Sequence, residues 1–251
     1  MHESLPWPCQ PKCPGFSLPS RLVSRAHHLL LGVSILLLSA CASLDFDQPR
    51  ETSFALQDTA DTPLGQKVLP AVQQHGGQSG FRVINDGIEA LAARILLMGS
   101  ATRSIDAQYY FVLDDLTGNL FVRELLAAAD RGVRVRLLID DIATQGYDAG
   151  MAALNAHPNF EIRIFNPFSQ RSGRYLNVFD YVRVNRRMHN KSLIIDNQVM
   201  VVGGRNIGDE YFSARKDMNF ADLDVVGLGP VARETSAVFD QYWNDRHTLS
   251  V

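Results

Sequence analysis

The sequence predicts an α/β protein with a mixed, largely parallel central sheet and helices on both faces. From Phe81 onward, apolar residues recurring at helical spacing alternate with short runs rich in β-branched and aromatic residues. Strands separated by helices are joined by right-handed crossovers, which cover both sides of one sheet. A chain of 251 residues, 46% hydrophobic and 20% charged, can bury one domain or two small ones and is neither disordered nor coiled coil as a whole.

Residues 42–80 are rich in Asp, Gln, Thr, Pro and Gly and read as a tether, with one short helix around Leu64 to Gln74. Ile88, Leu91, Ala92 and Ile95 form the first helical stripe of the domain, which spans residues 81–251, and Ser104 to Val112 follows as a strand. Phe121, Leu125, Ala128 and Ala129 form the next stripe, ending at Arg131-Gly132, and Val133 to Ile139 is the next strand. Asp140-Asp141 directly after it, with Asp106, supplies three carboxylates that could suggest a metal site. Adjacent acids in such a loop more often cap a helix or face solvent, and nothing completes a cage. A helix around Ala149 to Asn155, a strand at Phe160 to Phe165 and a long loop from Pro167 to Asp180 come next. Arg183, Arg186 and Arg187 then lead into His189; such guanidinium groups could grip a phosphate or merely protect a strand edge. Phe220 to Leu228 reads as a strand, and Val231, Thr235, Val238, Phe239 and Tyr242 as the stripe of a last helix.

The chemistry is concentrated between Met188 and Asn206. In an extended strand His189 and Lys191, two residues apart, project to the same side. Leu193 to Ile195, a tight turn at Asp196-Asn197 and Val199 to Val202 form a buried hairpin that returns the chain beside His189. There it delivers Gly203-Gly204, where backbone can approach a ligand, and Asn206, a side-chain donor. Imidazole, ammonium, bare amides and a carboxamide make a receptor for a phosphoryl group.

This pattern, H-x-K-x4-D followed by x6-G-G-x-N, resembles the motif of the phospholipase D superfamily. The flanks R-R-M-H-N-K-S and V-G-G-R-N-I-G-D-E-Y-F, with D-A-Q-Y-Y at Asp106 to Tyr110, look most like the bacterial lipoprotein branch related to cardiolipin synthase C. The resemblance implies that His189 attacks phosphorus to give a phosphohistidine, while Lys191, Asn206 and nearby amides, including those of Gly203 and Gly204, hold the equatorial oxygens. It implies no metal or cofactor, and puts Asp196 away from phosphorus as a brace of the turn. Asp222, at its spacing before Pro230, would bond the far nitrogen of the imidazole, with Asp224 as its rival. Membrane phospholipids are the implied substrates, and the phosphate that Arg183, Arg186 and Arg187 could grip would then be that of an anionic headgroup. The net charge of -3 argues against a protein whose main task is coating nucleic acid.

The N-terminal region sets the compartment. Arg21 and Arg25, the apolar run Leu29 to Leu38 and L-S-A-C ending at Cys41 resemble a lipoprotein signal peptide over residues 1–40. The run is about half of the roughly 20 residues that a span requires. Cleavage before Cys41 and acylation would anchor the protein in the bacterial cell envelope, with Ala42 fitting outer-membrane sorting toward the periplasm. Cys9, Cys13 and the prolines around them lie upstream of a normal signal peptide, so the start is expected near Leu22 or Val23. No cysteine follows Cys41.

The motif occurs once, and no other histidine is followed two residues later by lysine. In the resembled family a second His, from a second motif, protonates the leaving alcohol and activates the acceptor. The chain is therefore expected either to pair with a second copy of itself, as single-motif nucleases of the superfamily do, or to lack a C-terminal half. Three functions stay open: a membrane-anchored phospholipid hydrolase or phosphatidyltransferase, a dimeric phosphodiesterase acting on nucleic acid, and a non-catalytic remnant.

Overall fold

The computed structural model describes residues 44–171, 173–174, 177 and 180–251. Cys41, Cys9, Cys13 and the signal-like run lie outside the described residues. The elements are α1 (Pro63–Gln74), β1 (Gly80–Ile84), α2 (Gly87–Ser100), β2 (Ser104–Tyr109), α3 (Leu116–Asp130), β3 (Arg134–Asp140), α4 (Asp148–Asn155), β4 (Phe160–Phe165), α5 (Tyr181–Val184), β5 (Ser192–Ile195), β6 (Val199–Gly203), β7 (Asp224–Leu228), α6 (Pro230–Trp243) and β8 (Thr248–Ser250). The eight strands among the described residues lie in one sheet, in the order β1-β7-β6-β5-β2-β3-β4-β8.

The sheet is mixed but not largely parallel. Only β2–β3 and β3–β4 are parallel pairs, the other neighbours being antiparallel. The alternation of strand and helix governs only β2 to β4, where α3 and α4 supply the crossovers. Beyond β4 the β5–β6 hairpin and β7 add strands without intervening long helices, and such connections produce antiparallel neighbours. β1 and β8, absent from the sequence-based expectation, are the short edges of the sheet.

Helices do cover both faces. On one, Ala90 and Met98 of α2, Phe121 and Leu125 of α3 and Met151 of α4 join Ile105, Val135, Leu137, Leu193, Ile195 and Val201 in the larger core. Burial of side chains such as Phe121 and Leu125 contributes roughly 2 kcal/mol each. On the other, Ala232, Phe239 and Trp243 of α6 pack on Leu138, Ile194 and Met200. Successive residues of β5 thus serve opposite cores, as a two-residue period dictates.

Two expectations shift in detail. The buried positions of α2 are Gly87, Ala90, Arg94 and Met98, while Ile88 is 63% exposed, so the helix is rotated from the Ile88 stripe. The segment read as a tether is docked from Arg50 onward. Arg50 Nη1 donates to the carbonyls of Asp245, Arg246 and Thr248 at 2.8, 2.6 and 2.7 Å, and Ala55 N donates to Asp240 at 3.0 Å. Arg136, beneath α6, donates to Asp106 at 2.6 and 2.8 Å and to Asp240 at 2.8 Å. Asp106 is therefore committed to an ion pair, and among the described residues no three His, Cys, Asp or Glu side chains cluster as metal ligands.

Candidate active site

His189 and Lys191 lie in an extended segment just before β5 rather than within it. Two anchors hold that segment. Met188 is 1% exposed in the core beneath α6, and its backbone N–H donates to Asp140 Oδ2 at 2.8 Å. Asp140 ends β3, and its Oδ1 accepts from Arg187 at 3.0 Å and from Ile142 N at 2.9 Å. Burial pushes the Asp140 carboxyl up to about 6, against the pull of Arg187 and of these amides. With Met188 fixed inward, the next side chain turns outward. His189 is exposed, and its ring packs on Tyr110 at 4.9 Å between centroids.

Lys191 is 6% exposed. Its Nζ donates to the His189 carbonyl at 2.6 Å and lies 5.4 Å from the centre of the Tyr110 ring. Burial lowers the ammonium pKa, and the Asp222 carboxylate opposes that shift. Asp222 therefore acts electrostatically on the lysine. Its Oδ1 accepts from Leu223 N at 2.8 Å, and among the described residues it makes no hydrogen bond to the His189 ring. The expected imidazole–carboxylate bond is thus not formed in this structure. Asp224 does not replace it: buried, it takes Arg94 at 2.8 Å and Arg205 at 3.4 Å.

Gly203 and Gly204 make room for carboxylates. A Cβ at Gly204 would sit 2.0 Å from Asp222 Oδ1, and one at Gly203 would sit 2.0 Å from Asp224 Oδ1. The Gly204 amide is also taken, donating to Leu223 O at 3.2 Å. The bare backbone of this corner thus admits β7 and its lead-in, and the expected free amide for a ligand is absent at Gly204. Asn206 is buried; its amide donates to the Tyr211 hydroxyl at 3.2 Å, and its Oδ1 has no partner among the described residues. Arg205 between them donates to Tyr211 O at 3.1 Å and Asn85 O at 2.5 Å, tying the corner to the end of β1.

Asp196 occupies the far end of β5. Asp196 and Asn197 have φ of 50° and 52°, and Gln198 N donates to Ile195 O at 3.0 Å, which closes a type I′ turn. The fully buried carboxylate accepts from Arg103 N at 2.8 Å, Ser104 N at 2.9 Å and Thr102 N at 3.1 Å, with the Thr102 hydroxyl also at 3.1 Å.

Of the three arginines, two are structural. Arg183 donates to Asp180 at 2.7 Å, Asn166 at 2.6 Å and Pro167 O at 2.8 Å. Arg187 joins Asp140 to Asn166 O, at 3.0 and 2.5 Å. Arg186 is exposed, and its guanidinium has no partner among the described residues. Asp141, buried, accepts from Phe168 N at 2.7 Å and pairs with Arg171 at 3.1 Å. Sequence reasoning missed the anchoring of Met188 by Asp140; a carboxylate at the end of a strand that points toward the site was its one visible signal. The tilted packing of Tyr110 against the imidazole had none.

This fold, with a histidine, a lysine and an asparagine at one end of a mixed sheet, defines a phospholipase D-type phosphodiester domain. Residues 95–243 match the family described as "Cardiolipin synthase, PLD-like domain", and the chain belongs to it. It is 49% identical to cardiolipin synthase C of Escherichia coli (strain K12) over 181 residues, which cover 72% of this chain and 38% of that one. The chain thus spans less than half the length of the curated relatives it matches. Among solved structures, it resembles NucT from Helicobacter pylori (TM-score 0.52, 14% identity, 69% of this chain and 100% of that one). The phosphatidylserine synthase of Haemophilus influenzae Rd KW20 is similar as well (TM-score 0.52, 15% identity, 71% and 42% covered). At these identities the likeness is one of fold.

Proposed function

We propose that this domain cleaves or transfers the phosphodiester of a membrane phospholipid through a phosphohistidine at His189. What supports the proposal is the exposed His189 imidazole with the Lys191 ammonium held on its own carbonyl; Asn206, whose amide has a second N–H besides the one given to Tyr211, and Asp222 lie on the neighbouring corner after β6. An imidazole nitrogen of His189 forms a bond to phosphorus as the bond to the leaving alcohol breaks. Lys191 and Asn206 stabilise the charge that gathers on the equatorial oxygens. For this, the Lys191 ammonium swings from the His189 carbonyl to the ligand, a rotation of an unbranched side chain.

One imidazole cannot be bonded to phosphorus and also protonate the departing alkoxide. A second His189, from a second copy of the chain, supplies that proton and then takes one from the acceptor as the P–N bond breaks. A two-fold pair is self-complementary, so each copy presents the same face. Arg186 meets the anionic headgroup at the rim, while Arg183 and Arg187 hold the loop. Acylation of Cys41 keeps the domain at the envelope membrane, where its substrate is concentrated.

The test combines phosphatidylglycerol and phosphatidylethanolamine turnover with sedimentation, using His189→Ala as control. Wild-type protein quenched in denaturant at neutral pH, which spares the acid-labile P–N bond, is expected to carry the phosphatidyl group on His189, and activity is expected to sediment with the dimer. Robust turnover by a monomer would defeat the two-copy mechanism, and turnover retained in His189→Ala would defeat the nucleophile. Intact mass of the membrane fraction, expected to show diacylglycerol on Cys41, checks the anchor.

A further inference from the structure

A cavity of about 510 Å³ opens at the end of β4, at the same end of the sheet as His189. Phe165 lines it and is the register partner of Asp140, the carboxylate that holds Met188 beside His189. Across β2 and β3 the cavity lies three strand spacings, about 14 Å, from β5, and neither His189 nor Lys191 lines it. Three arginines reach it: Arg183, Arg186 and Arg246. Arg183 is committed to Asp180, Asn166 and Pro167 O, so the acid on this wall is already paired. Asp245, the other acid, accepts from His247 N at 2.7 Å and lies 2.9 Å from His247 Nδ1. That leaves two exposed guanidinium groups, Arg186 and Arg246, with no carboxylate partner among the described residues; Arg246 Nε lies 3.3 Å from His247 Nε2. Two planar forks lining one hollow suit the oxygens of a phosphate. Beside them the surface is apolar, with Tyr181 and Val182 of α5 62% and 73% exposed. The amino-terminal end of the described chain also arrives here. The Phe46 ring packs on His247 at 5.4 Å between centroids and under the Arg183 guanidinium at 4.9 Å. Phe46 follows Cys41 by five residues, a reach of at most about 18 Å.

We propose that this cavity seats the phosphate of an anionic phospholipid that is not cleaved, and so docks the catalytic end of the sheet on the bilayer. The inference rests on the membrane-phospholipid function above and narrows it: the headgroup that Arg186 meets at the rim belongs to a lipid that holds the domain down, while the reacting lipid sits at His189. Charge complementarity favours an anion, since the two acids are paired within the protein and two guanidinium groups are not. An exposed tyrosine and valine beside basic residues suit the headgroup boundary, where apolar tips enter the acyl region while the charges stay at the phosphates. A chain that leaves the bilayer at Cys41 brings this end of the sheet to the membrane surface, and His189 with it. Free phosphate shares the chemistry but gains nothing from the apolar rim or the tether, so the lipid is the occupant. No bond forms or breaks here; Arg246 is a docking group apart from the reacting atoms.

The experiment places the full chain in phosphatidylcholine bicelles and titrates in phosphatidylglycerol, with His189→Ala throughout so that no lipid is consumed. The His247 ring signals, followed by nuclear magnetic resonance, are expected to shift and saturate. Arg246→Gln, at an exposed side chain, is expected to require about fivefold more phosphatidylglycerol for half-saturation, the usual contribution of one basic residue at an anionic surface. Absence of saturation without the Arg246 substitution, or an equal half-saturation with it, would overturn the docking site. Saturation by inorganic phosphate alone at the same concentration, or by a short oligonucleotide, would overturn the lipid as occupant. In the active chain, Arg246→Gln is expected to raise the apparent KM for phosphatidylglycerol in bicelles about fivefold with kcat unchanged. A fall in kcat with KM unchanged would place Arg246 in the chemistry and overturn its docking role. A chain that turns over no diester would defeat the phosphohistidine function and leave the titration, which requires no turnover, to decide the site.

Discussion

The two ends of β5 carry letters of the same motif and do opposite work. At the Asp196 end a fully buried carboxylate collects three backbone amides and a hydroxyl from the start of β2, locking the β5–β6 turn against the neighbouring strand. At the other end His189 is exposed, rests on Tyr110, and is placed by what surrounds it: a buried Met188, an Asp140 carboxylate and a Lys191 ammonium on its carbonyl. A group that must reach phosphorus needs access and some freedom; a group that holds a register needs neither. Motif membership therefore does not equal one job, and β5 is the spacer between a buried clamp and the exposed tip to which we assign the chemistry.

The sharpest way to break the comparison is to remove each end. His189→Ala is expected to reduce phosphodiester turnover at least about a thousandfold, as loss of a nucleophile does, with thermal stability nearly unchanged because the side chain is exposed. A variant that unfolds with wild-type cooperativity at a much lower temperature would show that the tip is also structural. Asp196→Ala should invert the pattern. Three amides lose a buried acceptor, costing roughly 3 kcal/mol, and residual activity should follow the folded fraction. Urea unfolding checks the first number. Activity abolished in a fully folded Asp196→Ala protein would place the aspartate in the chemistry.

A smaller effect separates the anchors of the tip from the clamp. Asp140 has a carboxyl raised from 3.8 to about 6. Between those values the folded state binds more protons than the unfolded one, so stability falls as pH rises through that window and levels off above about 6. Asp140→Asn should remove this slope, which is at most about 3 kcal/mol over two units. Because Met188 N and Arg187 lose part of their acceptor, the lead-in to His189 should also exchange its amides faster. Equal slopes in the two proteins between pH 4 and 6 would remove Asp140 from this role.

What was legible in the sequence follows the same division. The hairpin, its turn at Asp196-Asn197 and the strand at Phe160 to Phe165 could be read because local spacing dictates them. The sheet's directions could not, since β7, β1 and β8 take their places through long-range pairing. The stripe on α2 misled because apolar spacing assumes that the buried side is apolar. Asp224 instead draws Arg94 inward at 2.8 Å, turning Ile88 out to solvent. The glycine pair was visible, but its partners were not: the space it clears is filled by the carboxylates of Asp222 and Asp224, on the next strand and its lead-in. Tyr110 lay inside the predicted strand Ser104 to Val112, one residue past the observed end of β2, and nothing in its neighbours' spacing marks it as the surface under the imidazole.

The smallest effect distinguishes two jobs for Asp222. By resemblance it would orient the imidazole, yet in this structure its carboxylate acts on Lys191, whose ammonium burial disfavours. Asp222→Asn removes the negative charge and leaves burial unopposed, so the Lys191 pKa should fall further. Since the folded state then releases that proton at lower pH than the unfolded state does, stability should rise with pH over a window that begins earlier in the variant than in wild type. In a rate profile the alkaline limb should move toward neutral pH, because a neutral amine no longer stabilises the phosphoryl oxygens. If the carboxylate acted instead on the imidazole, the acid limb would move and the alkaline limb would stay. Titrating the Lys191 side chain by nuclear magnetic resonance in both proteins assigns the alkaline limb directly. A lysine that titrates alike in both would remove Asp222 from its electrostatic role and leave the resemblance's assignment as the better account.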